Sequence, residues 1–228
     1  MTQRAISEAL VKLRSQINSY CSEAGRAPNS VQVIAVSKNK PLSMIQAAYA
    51  LGQKHFAESY VQEAIPKINA FSPPDLVWHF IGPIQSNKTK LIAEHVTWVH
   101  SIDRLKIAER LSKQRPDILP ALNICIEVNI NGETTKSGVM LEELTAFALA
   151  IQTLPRLRLR GLMAIPAKTE SFTEQRLAFA KLNSALQELC RRGIALDTLS
   201  MGMSNDFKAA IFEGATFIRI GTAIFSAR

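Results

Sequence analysis

The stretch V31-QVIAVSKNK-P41 changes character at its middle. Val31 to Val36 is an apolar run rich in β-branched residues. Such a run reads as a strand buried on both faces. It stops at Ser37-Lys38-Asn39-Lys40, and Pro41 cannot continue a strand but suits the first turn of a helix. Lys38 therefore stands where a buried strand ends and a helix begins. An amine on a stiff apolar stem is poorly hydrated. Desolvation favours its neutral form and makes it a better nucleophile toward aldehydes. The competing reading is a solvated turn lysine, the usual state of that residue. The rest of the chain must decide between them.

The chain has 228 residues, 47% hydrophobic and 20% charged, which is ordinary globular composition. No apolar run is long enough to cross a membrane, and Met1 to Glu8 lacks a signal-peptide core. The three cysteines, Cys21, Cys125 and Cys190, are widely spaced and form no metal pattern. A reduced cytoplasmic setting is the simplest account, with Cys125 in the core. The net charge of +8 raises the question of a nucleic-acid partner. The basic residues are spread along the whole chain, without a basic tail or a nucleic-acid motif. A basic surface that attracts anionic metabolites or aids solubility is the better reading.

Along the chain, helical periodicity covers residues 3–24 and ends at Gly25 and Pro28. Strands are then expected at Val31 to Lys38, Lys54 to Ala57, Leu76 to Ile81 and Val96 to His100. Further strands are expected at Leu122 to Ile130, Leu157 to Ile165, Leu196 to Met201 and Thr216 to Ile220. Helices are expected between them, one with a break near Pro66 and one capped by Ser101. About eight strands alternating with helices point to an α/β fold, a (β/α)8 barrel with one extra N-terminal helix. An open doubly wound sheet is the alternative. With no linker or repeat visible, 1–228 reads as a single domain.

The residues after the strands carry the chemistry, because in a barrel these loops converge on one mouth. They include Ser37-Lys38, Glu58-Ser59, His79, His100, Asn129 and Met163. The last two loops hold Ser200-Met201-Gly202-Met203-Ser204 and Arg219-Ile220-Gly221-Thr222. Glycines let backbone N–H groups approach an anion, Ser204 and Thr222 add hydroxyls, and a helix start near Asn205 favours a phosphate. Gly202 can equally make only a tight turn. An aldehyde-capturing lysine with a phosphate site suggests pyridoxal 5′-phosphate (PLP). Arg219 is placed to meet its ring nitrogen. A permanently protonated arginine leaves that nitrogen unprotonated, which weakens the ring as an electron sink. No metal ligands stand out.

The chain resembles the pyridoxal phosphate homeostasis proteins over nearly its full length. The carriers are AVSKNKP at 35–41, FAESYVQEA at 56–64, WHFIGPIQSNK at 78–88 and NINGETTKSGV at 129–139. GLMAIPA at 161–167, LSMGMSNDFKAAI from 199 and IRIGTAIF from 218 complete the set. The resemblance implies a TIM barrel of the alanine-racemase N-terminal-domain type, with PLP held as a Schiff base on Lys38. It implies a phosphate site at Ser204, Gly221 and Thr222, lined by Ser200 and Met201, and Arg219 at the ring nitrogen. It leans toward a monomer. Apart from the resemblance, Lys136 is the place to look for a second covalent site, which the residues do not decide. Two positions depart from the family pattern. Ser59 replaces the usual asparagine beside the cofactor, and Asn205 replaces the first of two aspartates.

Racemases and decarboxylases of this barrel type continue into a C-terminal β-domain with a second acid/base. This sequence ends soon after Gly221. An open mouth and poor support for carbanion chemistry are therefore expected. The leading expectation is storage and delivery of PLP to apo PLP-dependent enzymes, with no catalytic residue assigned. The alternative is a weak amino-acid racemase or related PLP enzyme.

Overall fold

A computed structural model describes residues 2–133 and 136–225. Thr134 and Thr135 of the NINGETTKSGV motif, and the last three residues, lie outside the described residues. Eight parallel strands close on themselves in sequence order. They are β1 (Gln32–Val36), β2 (His55–Glu58), β3 (Val77–Phe80), β4 (Trp98–Ile102), β5 (Leu122–Glu127), β6 (Leu157–Met163), β7 (Thr198–Ser200) and β8 (Phe217–Ile220). The seam is β1 on β8, in register from Gln32 opposite Phe217 to Ala35 opposite Ile220. The barrel is the expected one, and the open sheet is excluded.

The opening stretch shows why the sheet closes. Val33 and Ala35 of β1 join the core shared with the helices, while Ile34 and Val36 join Ala57 in a separate cluster inside the barrel. From Val33 onward both faces are buried, and only the first residue, Gln32, is polar and exposed. The long first helix, α1 (Gln3–Glu23), buries Ile6, Leu10, Leu13, Ile17 and Cys21, and Thr2 caps it by accepting from the Ala5 amide. It packs on α2 (Leu42–Ala50), α8 (Phe207–Phe212) and α9 (Thr222–Phe225), and so covers the seam between the first and last units. Each buried aliphatic side chain on that face contributes roughly 1.5–3 kcal/mol.

Two local expectations are corrected. α3 (Val61–Ala70) runs unbroken through Pro66. Its apolar face, with Val61, Ala64 and Ile68 buried, outweighs the lost backbone bond. Ser101 caps no helix. It lies in β4, which runs on to the fully buried Ile102, and its hydroxyl donates to the Gly82 carbonyl at 2.5 Å. The following helix, α5 (Leu105–Gln114), starts without a side-chain cap. Gly82 itself is required by close approach. A Cβ there would sit 1.9 Å from the Ser59 carbonyl oxygen.

Candidate functional site at the barrel mouth

Lys38 follows β1 in a tight turn. Asn39 takes a left-handed conformation, φ 59°, and the Lys40 amide donates to the Ser37 carbonyl at 3.0 Å. Neighbours on β2 and α3 clamp this turn. The Lys67 ammonium donates to the Ser37 carbonyl at 3.0 Å, to Glu58 Oε1 at 2.8 Å and to Glu63 Oε2 at 3.3 Å. The Ser37 hydroxyl donates to the same Glu58 oxygen at 2.6 Å, and Glu63 Oε2 accepts the Asn39 amide at 2.7 Å. Glu58 is 1% exposed, and burial pushes its carboxyl above the usual range against the pull of Lys67 and Ser37. Ser37 takes the inward place and Lys38 is exposed at the mouth. This corrects the expectation of a desolvated amine, because the strand ends before Lys38 and the turn faces an open cleft.

That cleft, of about 350 Å³, lies within the ~300–1,000 Å³ range of small-molecule sites. Lys38, Ser59, Ser204, Arg219, Gly221 and Thr222 all line it. The Thr222 hydroxyl donates to Ser204 Oγ at 3.0 Å, so the loops after β7 and β8 meet at one point. Asp206 precedes α8 and accepts the Met203 amide at 2.6 Å. One N–H of the loop is thereby already used. α8 has only six residues. The groups this corner can offer an anion are therefore the two hydroxyls and the Gly221 backbone, not a helix dipole.

Arg219 is 4% exposed. Its Nη1 donates to the Ser200 carbonyl at 2.6 Å and the Ser200 hydroxyl at 2.8 Å, and Nη2 donates to the Ala164 carbonyl at 3.0 Å. Burial lowers the guanidinium to about 10, with Asp206 and Glu127 pulling the other way, so it stays cationic at neutral pH. Ser200 and Met201 are fully buried and lie behind Arg219 and in the core, not on the cleft wall.

Several residues at the cleft escaped the sequence reading. The loop after β6, from Ile165 to Glu170, and Gln175 of α7 (Phe172–Arg191) form one wall. The sequence marked them only by the Pro166 stop and by the GLMAIPA motif, which reaches Ala167. The Glu58–Lys67–Glu63 clamp was missed too, because its members are distant in sequence and each reads alone as a solvated charge. His79 and His100, expected at the mouth, are buried below it. Lys136 pairs with Glu133 at 2.7 Å and does not line this cleft. Glu127 ends β5 inside the barrel. Burial, then the Asp103 charge, raises its carboxyl to about 7.

The family described as alanine racemase, N-terminal domain, matches residues 10–228. The chain is 54% identical over 223 residues to the pyridoxal phosphate homeostasis protein of Pseudomonas aeruginosa, covering 98% of this chain and 96% of that one. It is 49% identical over 226 residues to the protein of the same name from Escherichia coli, with 98% and 97% covered. Among solved structures it is similar to PipY of Synechococcus elongatus with PLP bound, at 39% identity and TM-score 0.85, covering 96% of this chain and 99% of that one. Alanine racemase from Corynebacterium glutamicum shares the fold at 16% identity and TM-score 0.73, with 98% of this chain and 60% of that one covered.

Proposed function

Because the chain belongs to the pyridoxal phosphate homeostasis protein family, we propose that it binds PLP at the barrel mouth and serves its storage and delivery. The observation that carries this is the meeting of Lys38, Ser204, Arg219 and Thr222 on one cleft, although they stand in or after three different strands. The chemistry of the donors fits the cofactor. Two hydroxyls 3.0 Å apart suit phosphate oxygens. Among the described residues Arg219 Nε has no partner, and the guanidinium borders the cleft. When bound, PLP supplies an aldehyde that an amine captures reversibly and a ring that withdraws electrons.

In this reading Lys38 is the amine, presented by the clamped turn. Ser204, Gly221 and Thr222 take the phosphate. Arg219 donates to the ring nitrogen without giving up its proton, while Ser200 supports it from behind and Met201 packs in the core beneath the same loop. Such a partner keeps the ring a weak electron sink, which suits a protein that holds the cofactor and does not drive amino-acid turnover. The curated relatives carry the name of a homeostasis protein. We place the whole chain, 1–228, in one PLP-binding domain, since the family match spans 10–228 and α1 seals the barrel seam.

The test mixes the PLP-loaded protein with an apo PLP-enzyme, in the presence of a scavenger for free PLP. Recovery of enzyme activity faster than spontaneous release supports delivery. Recovery at the rate of release reduces the role to storage. Amino-acid racemisation by the purified chain, lost in Lys38→Ala, would replace both with an enzyme.

A further inference from the structure

Three histidines occupy successive strands inside the barrel: His55 on β2, His79 on β3 and His100 on β4. They are linked end to end. His55 Nδ1 lies 2.9 Å from His79 Nε2, and His79 Nδ1 lies 2.8 Å from His100 Nε2. His100 Nδ1 lies 2.8 Å from Ser200 Oγ, which Arg219 Nη1 also meets at 2.8 Å. The chain thus runs from the half-buried His55 at the start of its strand to the guanidinium at the cleft. His79 and His100 are 1% and 0% exposed. His79 stacks on Trp98, and Phe217 borders all three rings. Among the described residues no group of His, Cys, Asp or Glu is arranged to hold a metal ion.

The protons of this chain can be placed by elimination. Arg219 has no acceptor, so Ser200 Oγ must accept from it. Among the described residues the buried hydroxyl hydrogen then has one acceptor in reach, His100 Nδ1, and would be left unsatisfied without it. His100 must therefore carry its proton on Nε2 and donate to His79 Nδ1. His79 in turn donates from Nε2 to His55 Nδ1. Burial holds His79 and His100 neutral, with the Arg219 charge adding to the effect on His100, which is lowered to about 3. Neither ring carries the second proton that would break this order. One permanent cation thus sets three tautomers.

We propose that His55, His79 and His100 are positioning residues, a tautomer-ordered chain keyed by Arg219 that holds Ser200 and the guanidinium in register with the cofactor ring. The proposal rests on the reading above that Arg219 faces the PLP ring. Its physical content is how a buried cation is stabilised. Removing a guanidinium from water is costly, and a buried carboxylate is the common remedy. Among the described residues no carboxylate bonds to Arg219. Two carbonyls, one hydroxyl and a line of imidazole dipoles with their acceptor ends toward the cation take that role. Aligned hydrogen bonds polarise one another, so the chain acts as a unit. A carboxylate would occupy the donors of Arg219. The dipole chain leaves Nε for the ring.

The first test needs no cofactor. Long-range 1H–15N spectra of histidine-labelled apo-protein at neutral pH should show His79 and His100 protonated on Nε2 and bare on Nδ1. An Nδ1–H tautomer or an imidazolium at either ring overturns the proposal. Ser200→Ala removes the key, and a second tautomer set should then appear. Unchanged spectra would show that Arg219 does not order the chain. The second test uses PLP. His79→Phe, which keeps a ring but no hydrogen bonds, should shift the visible band and weaken PLP binding about ten-fold. His79→Gln, which can accept and donate in the same order, should stay within about two-fold of wild type. Equal binding by wild type and His79→Phe overturns the positioning role. Failure of the wild-type protein to bind PLP sinks the functional reading instead, and the apo spectra still decide the chain.

Discussion

The Lys67 ammonium lies 3.0 Å from the carbonyl oxygen of Ser37, the residue before Lys38. A helix that contributes nothing to the cleft wall thereby holds the turn that presents the amine. The same ammonium neutralises Glu58, which is 1% exposed. Holding the turn and compensating a buried charge are one interaction.

Lys67→Met should cost about 3 kcal/mol of stability, because it leaves a buried carboxylate without its cation. Urea unfolding measures this. Lys67→Met combined with Glu58→Gln should recover part of the loss, since no charge is then stranded. A Lys67→Met protein as stable as wild type would show that Glu58 takes up a proton at little cost.

Lys38→Ala should leave stability within about 0.5 kcal/mol of wild type, as expected for an exposed side chain. It should abolish the borohydride-fixed PLP adduct, read by peptide mass spectrometry. Full adduct yield in the variant would move the covalent site elsewhere, Lys136 being the first place to look.

Ser204→Ala and Thr222→Val should each weaken PLP binding, and the double variant should lose less than the sum. The two hydroxyls bond each other and act on one group. Titration monitored by absorbance gives the three affinities. Strict additivity would place the hydroxyls on separate ligands.

Glu127 gives a pH dependence with a defined sign. Its folded-state carboxyl is raised from the model-compound 4.5 to about 7 by burial and by Asp103. A raised carboxyl favours the folded state while protonated, so its contribution is present below about pH 4.5 and lost as pH rises to about 7. Glu127→Gln should therefore have the higher Tm at pH 8, relative to wild type, with the difference shrinking toward pH 4.5. A Tm difference independent of pH would show that Glu127 does not titrate in this window.

The barrel was legible because its evidence is local. An apolar run such as Val33 to Val36, buried on both faces, has few homes outside a sheet covered by helices. Glycine and proline stops mark its end and the ends of its neighbours. The order of such runs sets a parallel topology with little freedom. Where single elements were misread, as at Ser101 and Pro66, a tertiary contact outweighed a local preference. Ile102 is buried in the core, so β4 continues past Ser101.

The sequence by itself determined the barrel and the residues that stand after its strands, because strand ends are marked by the chain's own turns. Only the tertiary structure decided what those residues do to one another. It exposed Lys38, put Ser200 behind Arg219, bound Lys67 to the turn before Lys38 and threaded three histidines into one chain. Those relations join positions 19 to 100 residues apart. Barrel closure sets them through the angle and register of strands whose individual patterns are indifferent to them. A histidine on β3 has the same local sequence whether it meets water, a metal or another histidine. Only the closed barrel, which buries it beside β4, removes the first choice and leaves the hydrogen bond.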